Sequence, residues 1–453
     1  MRGTNKHEKI KRTPANAILD KWERHYDKMN YSKWFRYKKR AASDDSKFPT
    51  GYLLPKNKDV KKFRPIVSYY THPCKRVLNA AGRALLYLLS RYSKPHFNLP
   101  NVNKLMAELE EINKKHSNKG KACVCLNGDL ANMYTSLDHT SIVQAVEAIL
   151  ADVQAKTRRK EVAIPKSKIL GSPHLGRSAS VDEKGVTFTF DELLEIVKFD
   201  LNNAYFRIGD TILQQRVGIP MGSPLSPALA QIVCAWYETK TMEKMQHDGL
   251  MNEVEGVRYV DDLTCFVFYD KDSASDKQQA LDIAKRIQYG YHKNMELEVE
   301  DTNKKFKFLS SEIKVNKENF RIRSRFYNKN QRQINEGKPQ LFPTYQHFES
   351  FAPARQKLSV VISAIHRIGN ACNSTAAVQS AFNTLRRELE LLKYPTQIIS
   401  RALWRVRNND GRWHAIHMSS NRSPAQDFRS GRQGGVRNNL VQNPTEWPAR
   451  RSK

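Results

Sequence analysis

Three aspartates stand where they could bind metal ions together. Asp129 follows a short apolar run at residues 121–126, and Asp261 and Asp262 stand side by side between two runs rich in β-branched and aromatic residues. Hard divalent cations prefer carboxylate oxygens, and Mg²⁺ usually takes only one or two of them from the protein. Nucleotidyl transfer uses two such ions ~3.5–4 Å apart. Asp129 and Asp261 could bridge both ions, with Asp262 at their periphery.

An Asp-Asp pair is also ordinary turn chemistry, because Asp is favoured in turns whatever the function. The pair alone therefore does not indicate catalysis. It is flanked by Tyr259 and Val260, however, and three further segments accompany it. These segments read Asp129-Leu-Ala-Asn-Met-Tyr134, Gly218-Ile-Pro-Met-Gly-Ser-Pro-Leu-Ser-Pro227, and Leu54-Pro-Lys56-Asn-Lys58 with Arg64-Pro-Ile-Val-Ser68.

The surrounding pattern predicts the elements that hold the three aspartates. Residues 121–126 are typical of a buried strand with Asp129 at its exit, and residues 257–268 are typical of a hairpin with the two acids in its turn. Other segments predict a hairpin over 52–68, a helix over 77–89, a helix from about Leu225, helices over 355–407, and a surface insertion over the basic, Ser-, Gly- and Pro-rich residues 153–185.

The charge of the chain favours a polyanionic partner. Its 453 residues include 76 Lys and Arg against 46 Asp and Glu, which gives a formal net charge of +30. Nucleic acid is the commonest polyanion in a cell, and its phosphates supply most of the binding free energy of basic proteins. A surface that is basic only for solubility is the weaker alternative. The basic, aromatic residues 1–50 could form an arm that binds phosphates, an amphipathic helix packed on the body, or both.

Other classes of protein are disfavoured. No run approaches ~18 apolar residues, so no membrane span is expected. The start of the chain lacks the apolar core of a secretory signal, so an intracellular protein is expected. The six cysteines form no Cys-x-x-Cys pair, and four of them lie among apolar neighbours, which is typical of core residues. The histidines are scattered along the chain and do not suggest a metal cluster.

The four segments resemble, in order, motifs of reverse transcriptases. Residues 54–58 with 64–68 resemble the fingers hairpin, residues 129–134 the first palm motif, and residues 218–227 the motif that follows it. Tyr259-Val-Asp-Asp262 resembles the catalytic box. Within the family, the resemblance is strongest to Penelope-like retroelement reverse transcriptases, to which telomerase catalytic subunits are related. Telomerase subunits carry an insertion between the same two palm motifs, where this chain has residues 153–185.

The resemblance implies an α+β fold of the right-hand polymerase type, with an antiparallel palm sheet carrying the acids. It implies a basic N-terminal arm at 1–50, fingers at 51–120, a palm at 121–345 with an insertion at about 153–185, a helical thumb at 346–407, and a flexible basic tail at 408–453. It also implies an RNA-directed DNA polymerase that extends a DNA or RNA primer on an RNA template with dNTPs. Nuclear residence would follow for a eukaryotic retroelement.

The resemblance further implies roles for single residues. Asp129, Asp261 and Asp262, with the carbonyl of Leu130, would hold two Mg²⁺ ions, or Mn²⁺ in their place. The nucleotide would be bound by Lys56, Lys58, Arg64, Tyr134, Met221 and Gly222. Tyr134 would select the sugar by colliding with a 2′-hydroxyl, unless it is simply a core aromatic. Lys293 would be the general acid, although several other lysines lie nearby, and the primer grip would include Phe308, Leu309 and Ser310.

Two departures from the family keep alternatives open. Retroviral enzymes have Gln at the position of Met221, so apolar contact must replace hydrogen bonding there. Penelope-like proteins often carry a C-terminal GIY-YIG endonuclease, and no such motif follows residue 407. An RNA-directed RNA polymerase such as a viral replicase remains an alternative, as does a catalytically idle scaffold that binds nucleic acid. Three retained, mutually repelling carboxylates argue against the scaffold.

Overall fold

The computed structural model describes residues 7–9, 15–31, 48–56, 59–117, 119–176, 185–250, 252–300, 302, 305–316, 320–342, 344–408 and 411–421. Helices and antiparallel sheets occur together in these residues, which confirms the α+β class. Lys58, the aromatic and basic residues 32–40, and residues 422–453 of the expected tail lie outside the described part of the chain.

The helices are α1 (Ala15–Lys28), α2 (Lys75–Leu89), α3 (Leu105–His116), α4 (Met133–Ser136), α5 (His139–Thr157), α6 (Phe190–Asn202), α7 (Ser226–His247), α8 (Ala274–Gln288), α9 (Gln331–Asn335), α10 (Ala354–Gly369), α11 (Thr375–Leu391), α12 (Thr396–Val406) and α13 (Gly411–Asn421). The strands are β1 (His7–Lys9), β2 (Thr50–Lys56), β3 (Asp59–Ser68), β4 (Lys121–Leu130), β5 (Glu161–Pro165), β6 (His174–Leu175), β7 (Gly185–Thr189), β8 (Tyr205–Ile208), β9 (Thr211–Gln215), β10 (Val254–Tyr259), β11 (Asp262–Asp270), β12 (Leu297–Val299), β13 (Phe306–Phe308), β14 (Ser311–Asn316) and β15 (Arg321–Phe326).

A four-stranded antiparallel sheet, called here the central sheet, has the strand order β10-β11-β4-β12. Its strand β4 is buried on both faces because it is an interior strand with apolar side chains pointing both ways. On one face, Leu126 and Val267 belong to the main core, to which α5 and α7 also contribute. On the other face, Cys125 and Phe266 form a second core with residues of α3 and of the sheet β13-β14-β15. Both faces of the central sheet are therefore covered over most of its length.

The prediction for the strand that carries Asp129 needs a correction. The sequence places Asp129 at the exit of a strand over 121–126, but β4 continues to Leu130. It does so because its last residues pair on both sides, with β11 and with β12. The hairpin over 257–268 is confirmed, with Asp261 in its turn and Asp262 as the first residue of β11.

Part of the segment expected to be a surface insertion packs into the main core. Helix α5 runs to Thr157, and residues 161–165 form β5, the middle strand of a small sheet ordered β6-β5-β7. Val162, Ala163 and Ile164 are fully buried. The segment predicted as an insertion at about 153–185 thus includes a buried strand, because the local Ser, Gly and Pro content masks one short apolar run.

A five-stranded sheet of order β1-β9-β8-β2-β3 contains the hairpin predicted over 52–68. The adjoining helix α1 is amphipathic, and its Trp22 and Tyr26 are buried while its Lys21 is exposed. Trp22 donates a hydrogen bond through Nε1 to the carbonyl of Asn203 (3.2 Å). The described part of the N-terminal segment thus includes a packed amphipathic helix, and the phosphate-binding arm stays a prediction.

Contacts within the chain divide it into two compact units. The first contains residues 1–329 and 367–381, and the second contains residues 330–366 and 382–453. In the second unit, α12 packs against α13, and the rings of Phe382 and Trp413 meet edge to face with centroids 5.9 Å apart. All six cysteines lie in the first unit and are buried as free thiols. Among the described residues, none of the helices is long and apolar enough to cross a membrane.

A half-buried carboxyl group makes the stability of the first unit depend on pH. Burial raises the pKa of Asp200 on α6 from 3.8 to about 7. Between pH 4 and 7 the unfolded chain has released this proton and the folded chain still holds it, so stability falls as pH rises through this range. A pKa difference of this size corresponds to at most about 4 kcal/mol.

We therefore expect Asp200→Asn to raise the melting temperature at pH 8 and to leave it unchanged at pH 4. Thermal denaturation at both pH values measures the effect. Asp210→Asn, in the exposed β8–β9 turn, is the control and should change neither value. An equal gain at both pH values would show that the gain does not come from titration.

Candidate active site

Asp129 and Asp262 lie directly opposite each other on neighbouring strands. They are a register pair of β4 and β11, so their side chains leave the same face of the central sheet. On the other side of β4, Glu298 of β12 is the register partner of Asp129. Three carboxylates thus form a row across three strands at one end of the sheet. Sequence reasoning missed Glu298, because only the pairing of the short strand β12 brings it beside Asp129.

Asp261 is presented by a strained turn. Val260, which precedes it, has φ of +61°, a left-handed conformation that is unfavourable for a β-branched residue. The backbone N–H of Leu130 donates to the carbonyl of Asp261 (3.0 Å), which ties the turn to the end of β4. The two segments that carry the acids are therefore joined by main-chain contacts as well as by sheet pairing.

A buried ion pair supports this turn. Arg258 is fully buried, forms a salt bridge with Glu238 of α7, and donates to the carbonyl of Val260 (2.9 Å). Glu238 also accepts from the hydroxyl of Tyr291 (2.8 Å) and from the backbone N–H of Phe97 (2.9 Å). Burial alone would lower the pKa of Arg258, but the Glu238 carboxylate more than offsets it and the pKa is raised. The guanidinium therefore stays charged and holds the Val260 carbonyl.

Sequence reasoning did not find Arg258 or Glu238. Arg258 lies within a β-rich run and Glu238 within the apolar helix α7, and their partnership spans 20 residues. The available signal was a charged residue placed directly beside buried neighbours in each of the two elements. Such residues are almost never fully buried unless they are paired.

Tyr134 lies close to the acids. It is half-buried in α4, and burial, followed by the charge of Asp261, raises its pKa to about 12. Its carbonyl accepts a hydrogen bond from the N–H of Ile219 (2.7 Å). The structure thus brings the first motif, the glycine-rich segment and the acidic turn together.

The glycine-rich segment is held by close backbone approaches. Gly218 has φ of +75°, and a Cβ there would lie 2.5 Å from the carbonyl oxygen of Tyr134. Gly222 has φ of +126°, and a Cβ there would overlap the carbonyl oxygen of Val67 on β3. The N–H of Val67 donates to the carbonyl of Met221 (2.8 Å). Only glycine fits at either position, so the segment is built for contact with its neighbours.

The predicted phosphate-binding cations and the general acid lie on other elements. Lys56 is half-buried at a bulge of β2, and Arg64 is exposed on β3. Lys293 is exposed in the turn between α8 and β12, two residues beyond Tyr291. Lys58 lies outside the described residues. The roles of these four residues stay predictions.

The predicted primer-grip residues form the turn of the β13–β14 hairpin. Phe308 is buried in the second core, so its ring packs inside the protein. Leu309 has φ of +54°, and the carbonyl of Ser310 accepts from the N–H of Tyr327 (2.9 Å). Asn127 Nδ2, two residues from Asp129 on β4, donates to the carbonyl of Lys307 (3.4 Å). The hairpin therefore lies beside the strand that carries Asp129.

The donor set suits a hard divalent cation. In the described part of the chain, no group of three or more His, Cys, Asp or Glu side chains could hold a metal by itself. Asp129 and Asp262 nevertheless offer paired carboxylates, with Asp261 adjacent in the chain. Mg²⁺ typically takes one or two protein carboxylates and completes its shell with water and substrate phosphates. These residues fit such an ion, whereas a metal held wholly by protein side chains does not match them.

Several solved structures of polymerases are similar to this chain. Telomerase from Candida albicans, solved with a TWJ fragment of telomeric RNA, aligns with a TM-score of 0.50 and 13% identity over 89% of this chain and 65% of that chain. Apo telomerase from Candida tropicalis aligns with a TM-score of 0.42 and 12% identity over 86% and 64% of the two chains. The Sicinivirus 3Dpol RNA-dependent RNA polymerase aligns with a TM-score of 0.42 and 12% identity over 82% and 68%.

These likenesses concern the fold, because every identity is below 25%. The chain has a polymerase-like fold and spans 65% of the length of the Candida albicans telomerase chain. A family model described as an animal helix-turn-helix domain matches residues 344–403, which cover α10, α11 and most of α12. No curated protein has a sequence similar to that of this chain.

The buried ion pair gives a prediction about stability. Glu238→Gln leaves Arg258 buried without a charged partner, so we expect the free energy of unfolding to fall by about 3–5 kcal/mol. The double variant Glu238→Leu with Arg258→Met removes both charges and should recover most of that loss. Chemical denaturation followed by tryptophan fluorescence measures both.

The control is Glu243→Gln on the same helix. Glu243 is about half-exposed and pairs with Lys94 (3.1 Å), so its loss should cost less than about 1 kcal/mol. If Glu238→Gln were no more destabilising than this control, the ion pair would not support the turn as described.

Proposed function

We propose that this protein is an RNA-directed DNA polymerase that adds dNTPs to the 3′ end of a primer on an RNA template. The observation that carries the proposal is the register pair of Asp129 and Asp262, with Asp261 in a turn tied to both strands. The polymerase-like fold supports it. The +30 charge supports it as well, since a template–primer duplex is a polyanion.

In this proposal the three aspartates hold two Mg²⁺ ions, or Mn²⁺, with the carbonyl of Leu130 as a further ligand. When bound, the ions would activate the primer hydroxyl and neutralise charge on the triphosphate. Phosphoryl transfer leaves the protein little covalent work, so positioning dominates. The main-chain bond from Leu130 to Asp261 and the buried Arg258 would do that positioning, because both hold the turn through backbone carbonyls.

The nucleotide would lie between the acids and the five-stranded sheet. Arg64 and Lys56, with Lys58, would bind the triphosphate, since Arg provides a bidentate fork and Lys a mobile point charge. Met221 and Gly222 would pass under the base. Lys293 would donate a proton to the leaving pyrophosphate. The hairpin turn at residues 308–310 would place the primer end.

Primer extension on an RNA template tests the proposal. The wild-type protein should extend a labelled DNA primer with dNTPs in Mg²⁺, and Asp261→Ala should lower the rate at least about 10³-fold, since electrostatic groups at a reaction centre have effects of this size. Asp272→Ala, an exposed aspartate just beyond the other end of β11, is the matched control and should extend normally.

Extension with rNTPs alone would instead identify an RNA-directed RNA polymerase. A lack of extension by both the wild type and the control variant, with duplex binding intact, would identify a nucleic-acid-binding scaffold.

Tyr134 allows a separate prediction about sugar selection. Its ring lies near Asp261, where a 2′-hydroxyl would collide with it, so Tyr134→Ala should raise rNTP incorporation relative to dNTP incorporation by about tenfold or more. Competition between matched dNTP and rNTP pairs measures the ratio. Tyr134→Phe keeps the ring and should keep the ratio. An unchanged ratio in Tyr134→Ala would restrict Tyr134 to a packing role.

A further inference from the structure

A basic surface lies on a different sheet from the carboxylates of Asp129, Asp262 and Glu298. The sheet β13-β14-β15 packs its apolar face, including Phe306, Ile313 and Ile322, into the core beneath the central sheet. Side chains alternate along a strand, so the residues between these point to the opposite face. Charged side chains of that face line an open cavity of about 1080 Å³, which Val315, Ile322 and Ser324 also border.

Cations outnumber carboxylates in the lining of this cavity. Five basic side chains and two carboxylates contribute to it, namely Lys305, Lys314, Arg321, Arg323 and Arg325 with Glu110 and Glu312. Glu312 is mostly buried and engages two of the cations, Lys305 at 3.2 Å and Arg325 at 2.5 Å.

Three cations therefore remain available to a ligand. Lys314, Arg321 and Arg323 are exposed, and among the described residues none of them pairs with a carboxylate within 4.0 Å. Lys314 and Arg323 are register partners on β14 and β15, so they lie side by side, and Arg321 lies one repeat further along β15. The charges form a two-dimensional patch on a rigid sheet.

The composition of the lining indicates how a polyanion would bind. Its wall includes Asn373, whose side chain bonds to the backbone of β15 and so holds the start of α11 against that strand. No aromatic side chain lines the described cavity. Single strands are usually bound by stacking bases on aromatic rings. A basic, non-aromatic surface instead suits the phosphates on the outside of a duplex, which are contacted without reading sequence.

We propose that this face of the sheet β13-β14-β15 is a duplex-binding exosite. It contacts the sugar–phosphate backbone of double-stranded nucleic acid away from the site formed by Asp129, Asp261 and Asp262. The exosite is separate from the acids, because its cations lie on the face of the sheet opposite to the apolar residues that form a core with Cys125 and Phe266. It does not require catalysis. Its role is to add affinity for a duplex independently of sequence.

The test compares two full-length triple variants of equal charge. The exosite variant carries Lys314→Gln, Arg321→Gln and Arg323→Gln. The control carries Lys271→Gln, Lys277→Gln and Lys285→Gln, three exposed lysines of the same unit on and beside α8. Affinity for a labelled 20-base-pair RNA–DNA hybrid is measured by fluorescence anisotropy at several salt concentrations, with EDTA present so that no metal-dependent step contributes. A single-stranded RNA of the same length is the second probe.

We expect the exosite variant to bind the hybrid at least tenfold more weakly than the wild type, with a slope of log K against log salt smaller by about 2–3, since each lost phosphate contact lowers the slope by roughly 0.9. The control should stay within threefold, with its slope unchanged. Single-strand affinity should change by less than threefold in both.

Equal losses of hybrid affinity in the two variants would overturn the exosite proposal. An unchanged slope of log K against log salt in the exosite variant would overturn it as well. A greater loss for the single strand than for the hybrid would assign the surface to single strands and would also overturn it. EDTA prevents any contribution of metal ions held by the aspartates. Asp261→Ala should therefore bind the hybrid with the affinity of the wild type. The exosite and the proposed polymerase activity can therefore fail separately.

Discussion

The buried salt bridge between Arg258 and Glu238 is the interaction on which the candidate site depends. It joins β10 to α7, and through Tyr291 and Phe97 it also fixes the segments before β12 and after α2. Removing two charges from water is costly, and hydrophobic replacements are often at least as stable. The benefit of the pair is therefore geometric. A guanidinium with several fixed donors can hold the Val260 carbonyl and so maintain a backbone conformation that valine alone disfavours.

The central sheet explains how a strongly basic protein can hold acids close together. Most of β4 is buried, and on one face it is covered by α3 and the sheet β13-β14-β15. Asp129, near the end of the strand, lies just beyond this cover and is exposed. The same strands thus provide an apolar core along most of their length and a polar end. The buried cation Arg258 is paired with a carboxylate, whereas alternation along β14 and β15 places cations that are unpaired among the described residues on an outer face.

The parts of the fold and site that could be predicted are those encoded locally. The apolar run before Asp129, the hairpin around Asp261 and Asp262, and the helical periodicity after residue 355 each depend on nearby residues, and each is present. The α+β class followed from the resemblance that these segments support. Residue roles at the site remain predictions, because geometry alone does not identify a reaction.

The features that escaped prediction depend on pairing between distant segments. Glu298 reaches Asp129 only through the three-residue strand β12, and Glu238 reaches Arg258 only because α7 packs beneath the sheet. Strand β5 was hidden because its polar flanks dominate the local composition. Leu309 and Val260 adopt positive φ, a choice that tertiary contacts make and that no local propensity favours.

The contact between Gly222 and Val67 has a mechanical consequence. The carbonyl of Val67 fills the space that a side chain at position 222 would need, and its N–H is bonded to the neighbouring Met221. Strand β3 and the loop before α7 are thus interlocked through their main chains. A displacement of the β2–β3 hairpin at this point must move that loop as well, and through Ile219 it reaches the carbonyl of Tyr134. The β2–β3 hairpin and the glycine-rich segment at residues 218–222 should therefore move together. A hinge that opens the site would then lie elsewhere in the chain.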